Sequence, residues 1–320
     1  MDETYRSPRS PLVQPGDIDH LVKDLTVTLS ADATLGAVQA KLAQNDQWLP
    51  IDGDPSATIG HLVNTNSTGP LRLGYGAWRD LILGVQFING RNELITAGGV
   101  PIKNVAGYDL PKLMVGQGGV FGKLITVTTR TYRRPAGALV ASFPADLDFI
   151  PRLLPTENRP HWAVMTADGL QLGYLGDQRE LQYYKDSVRA IDAADVRTLT
   201  LPQDVELRAQ LWRTGGLWGD FPWVFRATVP PMRIQDFAKS ARLKNWVADP
   251  AFGVVLGGAD DNLSVMIRGV ASSMGGGVTY RTIPDGTLVG ATLSPAERAI
   301  IERIKRAFDP ERKLAPLPET

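Results

Sequence analysis

The chain has 320 residues, 43% hydrophobic and 21% charged, which supplies a sizeable core and excludes global disorder. Lys and Arg total 34 against 34 Asp and Glu, so the net charge is zero, and no polybasic run marks a nucleic-acid face. Cysteine is absent, which excludes disulfides, a cysteine nucleophile, a Cys-ligated Fe–S cluster and a Cys-type zinc site.

The three histidines, His20, His61 and His161, are too scattered to predict a metal site. No apolar run reaches the roughly 18 residues of a membrane-spanning helix. The N-terminus, MDETYRSPRSP, is polar and is not a signal peptide; residues 1–16 read as an irregular arm.

Leu25–Leu29 alternates apolar and polar residues and predicts a strand. Residues 34–44 predict a helix with Leu35, Val38 and Leu42 on one face and Asp32 or Thr34 as cap. Trp48–Ile51 reads as a short extended exit, and residues 52–80 as loop around a short helix. Leu81–Asn89 predicts an apolar strand that turns through Asn89-Gly-Arg-Asn92 into a second at Glu93–Ala97. Pro111–Val115 reads as a helical turn, and Leu124–Tyr132 as another strand.

After Arg133-Arg-Pro135 the grammar changes. Strands are predicted at 139–143, 161–166, 169–175, 222–231, 252–257 and 263–268, with helices at 178–191, 203–213 and 232–245. Short turns between them point to helices over an antiparallel sheet, an α+β arrangement. Ser294-Pro-Ala-Glu297 carries a cap residue, Pro at the first helical position and Glu at the third, and Ile300, Ile301, Ile304 and Phe308 form the apolar stripe of a last helix.

Glycine is concentrated: thirteen of the 32 lie between Gly60 and Gly122. The stretch Thr58 to Gly69 mixes Asn, Ser, Thr and Gly, residues that turn the backbone and can form an anion-binding concavity. A polar surface loop explains the same composition. Gly116-Gln-Gly118-Gly119 sits between a short helix and a strand rather than after a strand, so a Rossmann nucleotide site is disfavoured. Lys103, Asn104, Tyr108 and Asp109 put four hydrogen-bonding groups in one loop, either to steer a ligand or to staple the loop, with Asp109 as a helix cap.

Several of these motifs occur together and in order: Thr58-Ile-Gly60, Asn66-Ser67-Thr-Gly69-Pro-Leu-Arg72-Leu-Gly-Tyr75-Gly76, Arg79-Asp80-Leu-Ile-Leu-Gly84, Gly98-Gly99, Lys103 to Asp109, and Leu113-Met-Val-Gly116-Gln-Gly118-Gly-Val-Phe-Gly122. The run Ala57–Pro135 resembles the FAD-binding domain of the vanillyl-alcohol-oxidase (PCMH-type) flavoproteins. Within them it is most similar to the branch that holds the E-type subunits of glycolate oxidase and the D-lactate dehydrogenases.

The resemblance implies non-covalent FAD and hydride transfer from a 2-hydroxy acid such as glycolate. By position, Thr58, Gly60, Asn64, Asn66, Ser67, Gly69, Gly122 and Leu124 would line the cofactor. Lys103, Arg72 and Tyr108 would serve as electrostatic and positioning groups at the reacting centre. The implied organisation is an FAD-binding domain over 1–135, an α+β cap over 136–293, and a C-terminal helix and tail over 294–320 returning to the first domain. The resemblance further implies a second flavoprotein subunit and an Fe–S subunit as partners, in the cytoplasm or at the inner membrane face through those partners.

Three departures stand out. Only about two dozen residues precede the Leu25 strand, so the Gly-rich subdomain that opens the family is expected to be largely absent. His61 stands where the family carries a second Gly, and Leu314-Ala-Pro-Leu replaces the Asn-Pro-Gly that follows Phe-Asp-Pro. A cofactor-free assembly subunit therefore stays open as the alternative. So does a small-ligand module built on Trp212, Trp218 and Trp223.

Overall fold

The computed structural model describes residue 14 and residues 16–99, 109–145, 158–189, 193, 195–213, 221–282, 288–289 and 295–317. The chain forms two units. One draws on Met1–Thr68, Gly76–Arg134 and Pro295–Leu317, the other on Gly69–Tyr75, Pro135–Ser294 and Pro318–Thr320.

In the first unit, β1 (Ile18–Leu21) leads through a single 3-10 turn into β2 (Thr26–Ser30), and Leu25 closes that turn in the left-handed region at φ 52°. Helix α1 (Leu35–Ala43) starts where the Thr34 hydroxyl accepts the Ala37 N–H, and it buries Leu35, Val38 and Leu42. β3 (Gln47–Trp48) follows, then the short helices α2 (Ile59–Asn64), α3 (Arg72–Tyr75) and α4 (Trp78–Leu81). Of these, α3 groups with the second unit.

β4 (Ile82–Ile88) pairs with β5 (Leu94–Gly98); α5 (Leu110–Leu113), β6 (Lys123–Arg130) and β7 (Tyr132–Arg133) complete the series. The sheet order is β1-β2-β6-β4-β5, antiparallel throughout, with β3 and β7 forming a separate ladder. Val27, Leu29, Leu42, Trp78, Phe87 and Val127 meet in its core.

The second unit holds β8 (Gly137–Phe143), β9 (Trp162–Thr166), β10 (Leu170–Gly176), α6 (Gln178–Arg189), β11 (Asp195–Thr200) and α7 (Leu201–Arg213). It continues with β12 (Trp223–Thr228), α8 (Ile234–Ser240), β13 (Trp246–Asp249), β14 (Val254–Ala259), α9 (Asp261–Ser273), β15 (Gly277–Thr282) and β16 (Leu288–Val289). One antiparallel sheet runs β11-β8-β10-β9-β13-β14-β12-β15-β16. In β8–β11 and again in β12–β15 the strand order is fourth, first, third, second, the order of a split β-α-β-β-α-β unit. The two copies join where β9 meets β13.

Two expectations are corrected. Residues 263–268 are not a strand but part of α9: Asp260 accepts the Leu263 N–H at 2.8 Å as a cap, and Ile267 and Ala271 are buried one turn apart. The helix expected over 232–245 stops at Ser240. Arg242 turns left-handed at φ 51°, Leu243 N–H donates back to the Ala238 carbonyl, and the chain leaves as β13.

Buried polar groups tie the second unit together. The Trp162 indole N–H donates to Asp204 at 2.9 Å, and Arg208 pairs with the other carboxylate oxygen at 2.9 Å, both charges being enclosed. Burial pushes the Asp204 carboxyl up and the Arg208 guanidinium down from their ordinary values, and the hydrogen bonds to the carboxylate oppose its protonation. The last helix, α10 (Pro295–Phe308), belongs to the first unit and lays Ile301, Ile304 and Phe308 on its core. The tail beyond it is tied down by buried Asp309, which accepts Lys305 Nζ at 2.8 Å and the Lys313 and Leu314 N–H groups at 2.7 and 3.0 Å.

Candidate functional site

The residues singled out between 58 and 69 divide by what they touch. Thr58 caps α2, its hydroxyl accepting the His61 N–H at 3.2 Å. Gly60 is buried against β2's exit, and a Cβ there would stand 3.0 Å from the Ala31 carbonyl oxygen. Gly122 packs on Phe87 with no room for a side chain, and Leu124 is buried in the same core. These four hold the α2 and β6 segments in place. His61 is exposed on α2.

Asn64, Asn66 and Ser67 lie at the other end of α2. The Gln117 amide donates to Asn64 Oδ1 at 2.6 Å and to the Gly122 carbonyl at 2.9 Å, while its own carbonyl accepts the Phe121 N–H at 2.8 Å. Gln117 is buried, so this one side chain fixes two loops. The backbone adds Gly116 N–H to the Val63 carbonyl and Gly118 N–H to the Asn64 carbonyl.

Gly116, Gly118 and Gly119 take φ of 78°, 60° and 84°, a left-handed run that only glycine adopts without cost. A Cβ on Gly118 would meet nothing within 4 Å. Beside this run Asn66, at φ 48°, is exposed, and Ser67 and Thr68 are half-buried; none of the three side chains has a hydrogen-bond partner among the described residues. A backbone-lined ledge with spare amide and hydroxyl groups suits a phosphate or the polar edge of a flavin. The donor set therefore fits FAD.

Gly69 and Arg72 fall in the second unit. Gly69 is buried and its carbonyl accepts the Arg72 N–H. The Arg72 guanidinium lies 4.2 Å from the centre of the Phe252 ring. Near it, buried Asp249 accepts the Ala251 N–H at 3.0 Å. Burial pushes the Asp249 carboxyl up to about 7, against the Ala251 and Phe252 N–H donors and the charges of Arg72 and Arg226.

Lys103 and Tyr108 lie outside the described residues, as does Trp218. Asp109 caps α5, accepting the Lys112 N–H at 3.3 Å and pairing with Lys112 Nζ at 2.7 Å; that lysine holds its carboxyl below the ordinary value. Among the described residues no three His, Cys, Asp or Glu side chains gather as a metal site, and no helix is long and apolar enough to cross a membrane.

Gln117 lies inside a motif but was not among the candidate site residues, and Asp249 lies in none of the motifs. A lone Gln inside a Gly-rich loop and a lone Asp before a turn carry no spacing signal, and only their burial shows what they do.

The FAD binding domain family matches residues 16–109. The chain is 34% identical over 127 residues to glycolate oxidase subunit GlcE of Escherichia coli, covering 39% of this chain and 36% of that protein. It is 25% identical over 181 residues to the mitochondrial D-lactate dehydrogenase [cytochrome] of Arabidopsis thaliana, covering 56% of this chain and 30% of the relative. The chain thus spans about a third of the length of these relatives. In structure it matches alkyldihydroxyacetonephosphate synthase with a TM-score of 0.69 at 14% identity, over 92% of this chain and 64% of the other, which shows a shared fold. Residues 16–109 thus match an FAD-binding domain, in a chain similar over part of its length to the GlcE subunit of glycolate oxidase and to a D-lactate dehydrogenase.

Proposed function

We propose that the chain binds FAD non-covalently and works as the FAD-binding subunit of an oxidoreductase complex acting on a small 2-hydroxy acid of the glycolate or D-lactate type. The observation that carries the reading is the ledge at the end of α2, where the side chains of Asn66, beside Gly116, and of Ser67 and Thr68 have no hydrogen-bond partner among the described residues. When bound, FAD supplies a two-electron acceptor for the hydride of the substrate's α-carbon.

The chain's own residues bind and orient. Asn66, Ser67 and Thr68 donate to the cofactor, and Gln117 and Asn64 brace the loops that present them. Thr58, Gly60, Gly122 and Leu124 support that wall from the core side. Arg72 provides the positive charge that a substrate carboxylate needs, and Lys103 and Tyr108 add hydrogen bonds to it. With no cysteine in the sequence, a cysteinyl tether to the flavin is impossible, and electrons leave to an acceptor or a partner that carries its own Fe–S cluster.

The test is an absorption spectrum of the full chain, alone and with its partner subunits, before and after FAD is added. Flavin bands that persist through desalting and bleach with glycolate or D-lactate support the reading. Colourless protein that takes up no FAD in either form refutes it. That result would favour an assembly subunit without cofactor, a reading supported by Gly60 being used for packing and by His61 standing exposed beside it.

A further inference from the structure

The second unit carries two open clefts that share Thr166, Ala167 and Trp246, one of about 250 Å³ and the other of about 420 Å³. Trp246 opens β13 and is 7% exposed, so an indole forms the floor between them. Lys244 lines the first cleft, and Lys239 and Arg242 line the second. All three cations are exposed, and none has an ion-pair partner among the described residues.

The excess positive charge sits in the second cleft, which Lys239 and Arg242 line with no acid beside them among the described residues. Asp168 lines the first cleft together with Lys244, Asp236 on α8 is bound to Arg233 at 2.9 Å, and Glu206 on α7 accepts the Gln210 amide.

Arg242 adds an independent sign. It occupies the left-handed position just past a helix end, where glycine is the unstrained residue. A charged side chain kept there against a conformational cost points to a use for the charge.

We propose that this double cleft docks an acidic segment of a partner protein, with an apolar side chain against Trp246 and carboxylates on Lys239, Arg242 and Lys244. The clefts are open and share the Trp246 indole, which fits an extended peptide better than a small anion enclosed on all sides. The proposal stands apart from the flavin reading, because none of its residues belongs to the ledge on α2.

The probe is a fluorescein-labelled peptide of alternating Glu and Asp with a central Leu-Phe, read by fluorescence anisotropy on the full chain at low and moderate salt. Binding that weakens with salt is expected, about 10-fold weaker in a K239S/R242G/K244S variant. Arg242→Gly alone should weaken the peptide about 3-fold while leaving the thermal midpoint unchanged or higher, since glycine relieves the left-handed strain. The proposal is overturned if the wild-type chain does not bind the peptide or if the variants bind it equally. Displacement of the peptide by millimolar inorganic phosphate alone, or tighter binding of a labelled oligonucleotide, would overturn it as well.

Discussion

Replacing Gln117 with Leu tests whether one buried side chain holds the ledge at the end of α2 in shape. The change keeps the volume close but deletes the bonds to Asn64, Gly122 and Phe121. Two of those partners are backbone groups in a buried turn, and leaving each unsatisfied costs about 1–3 kcal/mol, so the expected loss is about 2–6 kcal/mol. Gln117→Glu keeps the acceptor for Phe121 N–H but sets a carboxylate against Asn64 Oδ1 and the Gly122 carbonyl, so it too should destabilise. Asn64→Ala removes one half-buried partner and should cost about 1 kcal/mol. Urea unfolding of the three variants gives the ranking, and flavin fluorescence quenching gives the FAD affinity alongside. If Gln117→Leu lies within about 0.5 kcal/mol of wild type, or Asn64→Ala is the worse of the two, the ledge is not held as described.

Gly173 faces the flat of the Trp162 indole with no space for a methyl group, so Gly173→Ala should destabilise by about 1–3 kcal/mol in urea; a neutral result would mean the strands part freely. His161 accepts the Leu175 N–H on Nδ1 and burial lowers its pKa, with Glu180 opposing and Arg159 adding to the shift. Below the ordinary value of 6.5 the unfolded chain takes up a proton that the fold resists, so stability should fall with falling pH there, and His161→Gln should flatten that slope. Asp249 works in the opposite sense. Between 3.8 and about 7 the fold keeps a proton that the unfolded chain has released, so stability should fall as pH rises through that window. Asp249→Asn should remove that fall, and an unchanged pH profile in either variant would contradict the burial assigned to the group. Arg208→Met leaves Asp204 enclosed without its cation and should cost about 3–5 kcal/mol in urea; a mild effect would show that water reaches the pair.

Much of the first unit was legible in the sequence because its signals are local. The alternation in β2, the Thr34 and Asp109 caps, the Asn89 turn and the Pro295 start of α10 each act within a few residues. The strand expected at 263–268 failed because Leu-Ser-Val-Met-Ile satisfies both periods over five residues. What decides is the cap at Asp260 together with Ala271, one turn beyond the window. β1 and β11 carry no clear alternation and are defined by the strands they pair with. At the candidate site, the motif order pointed to one stretch of chain but not to the division of labour within it. Thr58 and Gly60 carry the same residue types as a ligand loop, yet one is used as a cap and the other for close packing, whereas Ser67 keeps a side chain without a partner among the described residues.

The repeated strand order of the nine-stranded sheet has a physical consequence at its centre. Within each copy the strands pair over long registers, seven residues for β8 with β10 and six for β12 with β14. Between copies β9 and β13 pair at only Thr166–Val247 and Met165–Ala248. A ladder this short contributes few hydrogen bonds, so the join depends on side-chain burial, and Met165, Val247 and Ala248 are accordingly almost solvent-free. Beyond the Thr166–Val247 pair the ladder makes no further pairing, and Thr166, Ala167 and Trp246 line both clefts at that end. The double cleft thus lies at the end of the short ladder between the two copies. Its rim is cationic because the left-handed turn after α8 brings Arg242 and Lys244 to it. An occupant that binds the folded clefts and not the unfolded chain should also raise the stability of the second unit.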